Sequence, residues 1–104
     1  PLMLQEVVEK RLDLSRLVNS MAEAPADRLG LSRGRIEEGQ PADFMFVDLT
    51  ASESINVDNL HSRSNWSPFE DWQAIFPHKV FRRGELISEN SEVVSNGGGI
   101  NLFD

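Results

Sequence analysis

The chain has 104 residues, a mass of 11.7 kDa and 39% apolar residues, which is room for one modest core. Its net charge of −7 is spread along the chain, with six basic and nine acidic groups in residues 1–52 and four and eight in 53–104. That balance argues against a nucleic-acid or anionic-membrane surface, and the lack of cysteine excludes disulfides, thiolate catalysis and Cys-based metal centres. No apolar run approaches the roughly 20 residues of a membrane span. The chain opens on Pro1 rather than Met, which raises the expectation of a processed or internal piece.

Leu2 to Arg11 reads as a helix, with Leu4, Val7, Val8 and Arg11 at helical spacing. Asp13 suits the N-cap of a second helix, whose stripe is Leu14, Leu17, Val18 and Met21. Pro25 predicts a break and a short new helix over 26–29, ended by a left-handed Gly30. The pattern then turns to strands. Arg35-Ile36 is a short candidate, Phe44 to Asp48 a buried one, and Ile55 to Val57 a further short one. Residues 58–78 show no period and read as an ordered loop held by Trp66, Phe69, Trp72 and Phe76. Lys79–Arg82 and Glu85–Ser88 flank Arg83-Gly84, the signature of a tight hairpin. Asn96 to Gly99 reads as flexible and marks a tail over 90–104. Strands this short, with open edges, suggest that a partner segment completes the sheet.

Candidate chemistry is sparse. His78 reads as a solvated loop histidine, and His61 has no nucleophile-elbow or oxyanion pattern beside it. Glu37-Glu38 reads as a solvated turn. Asp43 to Asp48 supplies paired carboxylates, which do acid–base work only if their environments separate their pKa values. Asp43, just ahead of a strand, reads as an acceptor of backbone amides. Gly97 to Gly99 lacks the Lys-Ser/Thr of a phosphate loop. Trp66, Phe69 and Trp72 read as loop anchors rather than a binding platform.

Residues 29–49, LGLSRGRIEEGQPADFMFVDL, resemble a block of the amidohydrolase superfamily. The matching positions are Gly30-Leu31, Gly34, Ile36, Gly39, Ala42-Asp43, the strand Phe44 to Val47, and Asp48. Ala24-Pro25-Ala26 resembles the Asn-Pro-Ala after the last barrel helix of that superfamily. Ser67-Pro68-Phe69 and Trp72, with Asp71 where a Gly is usual, resemble the Ser-Pro-Phe loop of dihydroorotases, and Val80 to Ile87 resembles their closing hairpin. The resemblance covers residues 1–89.

It implies an α+β chain: the last helices of a TIM (β/α)8 barrel in 1–30, then the C-terminal strands of a small β-sandwich in 31–89. It implies a cytoplasmic parent enzyme that hydrolyses a cyclic amide with one or two zinc ions held by residues upstream of Pro1. No catalytic, substrate-binding or metal-ligating residue is therefore expected in this chain. The expected partner is the N-terminal portion of the same enzyme, with a homodimer as an option. An allantoinase- or hydantoinase-type ring amidase, a non-catalytic dihydroorotase-like scaffold and a free-standing α+β binding module stand as alternatives.

Overall fold

A computed structural model describes residues 1–95 and 97–103. It has three short helices and a four-stranded antiparallel sheet. Helix α1 spans Leu2–Val8 and ends earlier than its apolar spacing suggests. Lys10 adopts a left-handed φ of 60°, and the amides of Arg11 and Leu12 turn back to the Glu6 carbonyl. That closure satisfies carbonyls the helix would otherwise leave open, and no glycine announces it.

Helix α2 spans Leu14–Val18, and the Asp13 carboxylate accepts from the Arg16 amide as an N-cap. The chain does not break at Pro25. A π-helical turn, Asn19–Glu23, runs straight into α3, Ala24–Leu29, with Pro25 in its first turn. The wider turn removes the need for a donor where proline has none. Gly30 ends α3 at φ 65°, as expected.

No strand forms at Arg35-Ile36, where Ile36 is exposed. Arg35 instead makes two hydrogen bonds to the Asp27 carboxylate at 2.7 and 2.8 Å, tying this loop to α3. Strand β1 runs over Phe44–Ser54, longer than the apolar run alone indicates. Ile55 to Val57 forms no strand of its own. Ile55 is buried and trades backbone bonds with Asp71 and Trp72, and a 3-10 turn follows at Val57–Asn59.

Strand β2 is Gln73–Arg82 and so begins inside the segment expected to be a loop. Its partners supply the order, since Ala74 and Ile75 pair with Glu53 and Ser52 of β1. Strand β3 is Glu85–Glu89, and a short β4, Glu92–Val93, lies within the expected tail. The sheet order is β1-β2-β3-β4. Arg83 and Gly84 both have positive φ, which matches the twist a two-residue hairpin needs.

The core is small. Leu4, Leu17 and Ile75 are buried together, and Val7, Leu12, Val47 and Leu49 pack against them. Helix α1 thus covers one face of the sheet. Within the α2 stripe only Leu17 is buried, while Leu14, Val18 and Met21 are exposed.

Candidate functional site

The pairing of β1 with β2 carries two irregularities, and both open onto one groove. Phe46 pairs with Lys79 but Val47 pairs with Pro77, so His78 is an extra residue on β2. Beyond it, residues 48–51 of β1 stand opposite Phe76 alone before pairing resumes at Ser52 and Ile75. Bulges of this kind bend a strand and re-aim side chains. Asp48 stabilises the bend, its carboxylate accepting from the Thr50 amide at 2.8 Å and the Thr50 hydroxyl at 2.6 Å. The hydroxyl, then the amide, hold the Asp48 pKa below the ordinary carboxylate value, and the nearby His78 adds a smaller push.

The groove between β1, the 3-10 turn and the β3–β4 turn has a volume of about 870 Å³. Asp48, Glu53, Asp58, His61, His78 and Glu92 contribute its titratable lining. His61 Nε2 donates to the Ser91 carbonyl at 2.9 Å, and His78 Nδ1 lies 2.5 Å from Asn90 Oδ1. Both bonds fasten the β3–β4 turn, where Asn90 and Ser91 hold left-handed φ values of 49° and 66°. The two histidines are therefore tethers of one turn, joined by folding although seventeen residues separate them.

Asp43 is not part of this groove. Its carboxylate takes the Arg83 amide at 2.7 Å and Arg33 Nη1 at 2.5 Å, which clamps the start of β1 to the distant hairpin. The expected backbone acceptance is present, but the donor lies forty residues away rather than in the local turn. Glu37 and Glu38 stay in an exposed turn. Phe69 and Trp72 meet edge to face at 5.3 Å, yet Trp66 is 68% exposed and Trp72 57% exposed. The loop is held by its backbone bonds to Ile55, not by aromatic residues anchored in the core.

These residues do not fit a zinc centre. Among the described residues no group of three or more His, Asp or Glu side chains could hold a metal ion. A zinc site needs about four close donors, or three with an open position, and here one nitrogen of each imidazole is engaged with the β3–β4 turn. Among the described residues, no helix is long and apolar enough to cross a membrane.

The glycine-punctuated loop, the clamped strand and the closing hairpin are the elements on which the family resemblance rests, and comparison with known proteins agrees with that resemblance. No family model matches the chain. It is 44% identical to a dihydroorotase of Thermoplasma volcanium over 92% of this chain and 23% of that protein. It is 41% identical to a dihydroorotase of Methanosarcina acetivorans over 84% of this chain and 19% of that protein. Among solved structures, the L-hydantoinase (dihydropyrimidinase) from Arthrobacter aurescens matches with a TM-score of 0.84 and 32% identity, over 91% of this chain and 22% of that one. The chain is therefore dihydroorotase-like, as its motifs indicated, and spans about a quarter of the length of the relatives it matches.

Proposed function

We propose that this chain is the C-terminal portion of a zinc-dependent ring amidohydrolase that interconverts dihydroorotate and carbamoyl-aspartate in pyrimidine synthesis. The observation that carries the reading is the 44% identity to a dihydroorotase across nearly the whole chain. On this reading residues 1–30 close a TIM barrel and residues 31–89 belong to a small β-sandwich, which β4 extends by Glu92–Val93. The ring-opening residues and metal ligands then reside in the remaining three-quarters of the enzyme, and the protein works in the cytoplasm. The 104 residues alone bind no zinc tightly and turn over no substrate, because the groove offers carboxylates and tethered imidazoles rather than converging ligands.

The test has two arms. The isolated chain is titrated with zinc and assayed with dihydroorotate, and the expectation is neither stoichiometric sub-micromolar binding nor hydrolysis. The longer gene product, read upstream of Pro1, is assayed on dihydroorotate, hydantoins, dihydropyrimidines and allantoin. Hydrolysis of dihydroorotate is expected. Tight zinc binding by the 104 residues, or a longer product inert toward every ring, overturns the proposal. A second reading, a hydantoinase-type amidase, is favoured by the likeness to the Arthrobacter aurescens structure. It predicts that the same panel selects hydantoins.

A further inference from the structure

We propose that Arg82 and Arg83, at the turn between β2 and β3, form a binding site for a phosphate group, and that the glycine segment after β4 is a strap which the phosphate displaces. Beyond β4 the chain runs back along β3 toward this turn. The Val94 amide donates to the Ile87 carbonyl at 3.0 Å, and the Ser95 hydroxyl donates to the Glu85 carboxylate. Two successive carbonyls then meet the two guanidinium groups. Arg82 Nη2 donates to the Gly97 oxygen, and Arg83 Nη2 donates to the Gly98 oxygen at 2.7 Å.

These partners leave the arginines half used. A guanidinium is a planar fork that suits two acceptor oxygens side by side. The Gly97 oxygen takes Nη2 alone, while Nε of Arg82 is buried and has no hydrogen-bond partner among the described residues. A buried donor left unpaired is costly. Glu85 does not complete the fork, since its Oε2 stands 3.6 Å from Arg82 Nη2. A carbonyl also brings no charge. A phosphate monoester brings charge and three oxygens, two for the Arg82 fork and one for Arg83, whereas a carboxylate has only two. The net charge of −7 weighs against a polyanion, so the ligand class is a small phosphate. The arginines hold it, not the glycine amides, so no phosphate-loop motif is required.

The strap depends on its glycines. Gly97 and Gly98 have φ values of 68° and 98°, and a Cβ at Gly98 would lie 2.9 Å from Arg82 Nη2. A Cβ at Gly97 meets nothing within 4 Å. Gly97→Ala therefore strains the strap without touching either arginine.

The full 104-residue chain, isotopically labelled for NMR, is titrated with inorganic phosphate, glycerol phosphate, acetate and, at matched ionic strength, sodium chloride. Saturable shifts of the Gly98 and Gly99 amide signals are expected with both phosphates. Apparent affinity scales with the fraction of chains whose strap is open, so Gly97→Ala should lower the Kd about threefold or more. In that background Arg82→Lys keeps the charge but loses the fork, and should raise the Kd about tenfold. Arg83→Gln, at an exposed side chain, should raise it about threefold. Circular dichroism checks the fold of each variant before its titration is read.

No saturable shift, an equal response to chloride, acetate bound as tightly as phosphate, or indifference to both arginine substitutions overturns the site. A Gly97→Ala chain that binds phosphate no more tightly overturns the displacement of the strap. Glycerol phosphate bound more tightly than inorganic phosphate assigns a phosphate ester, the reverse order assigns free phosphate, and either supports the site.

Discussion

Replacing Gly34 by alanine probes how the loop after α3 is seated on the helices. Gly34 has φ 83°, a left-handed conformation that costs an ordinary residue about 1–2 kcal/mol. A Cβ there would also lie 2.6 Å from the Ala22 carbonyl oxygen, 2.9 Å from its carbon and 3.2 Å from the Ala26 Cβ. A backbone carbonyl within a helical turn cannot swing aside, so the helix or the loop must shift. Forced overpacking of this kind costs about 1–3 kcal/mol, and the two effects together reach about 2–5 kcal/mol. Gly39 is the control. Its φ is 88°, but a Cβ there meets nothing within 4 Å, so Gly39→Ala carries only the conformational cost of about 1–2 kcal/mol. The contrast is therefore about 1–3 kcal/mol. At about 4–8 °C per kcal/mol in a domain of this size, thermal melts followed by circular dichroism resolve it. Equal melting temperatures for the two variants would falsify the seating of Gly34 against Ala22.

Ile75→Ala removes the one large side chain that is fully buried, at 0% exposure among the described residues, and should cost about 2–5 kcal/mol in urea unfolding. A loss below about 1 kcal/mol would mean that α1 and the sheet do not share this core. Asp43→Ala takes the acceptor from both the Arg83 amide and Arg33. A loss of about 1–3 kcal/mol is expected, mostly from the amide, because the ion pair is partly exposed. An unchanged urea midpoint would show that the clamp contributes nothing. Acid should destabilise the chain. The pKa values of Glu6, Asp27, Asp48 and Glu85 are lowered by hydrogen bonds from Arg11, Arg35, Thr50 and Ser95, against ordinary values of 4.5 for Glu and 3.8 for Asp. Groups depressed in the folded state stabilise it above their unfolded pKa and lose that contribution as pH falls through the folded one. The urea midpoint contributed by these groups should be level from pH 7 to about 5 and fall below about 4. A midpoint that climbs toward pH 3 contradicts the assignment.

Local chemistry made some of the molecule legible. Asp13 capping α2, Gly30 ending α3 and the Arg83-Gly84 hairpin follow from short-range backbone rules. The glycine and Ala-Asp block also carried the family resemblance, and the physical roles of Gly34 and Asp43 show why residues of those types stand there. Other elements depended on partners far along the chain. Gln73 to His78 has no alternation to mark a strand, yet it becomes one because β1 offers a ladder to it. Lys10 ends α1 in a conformation that no glycine advertised. Pro25 looked like a break until a π-helical turn absorbed it.

By itself the sequence determined the acidic, cysteine-free chemistry, the turns and caps, and the likeness to a ring amidohydrolase. Those properties reside in residue types and in spacings of a few positions. Only the tertiary structure decided that His61, His78 and Asp48 line one groove. Two bulges place Asp48 and His78 there, the loop after the 3-10 turn brings His61, and a bulge is set by the register between strands rather than by either strand alone. The structure likewise decided which face of the sheet lies open, because that depends on where α1 packs. Alternation identifies two faces of a strand, and only packing shows which of them is covered.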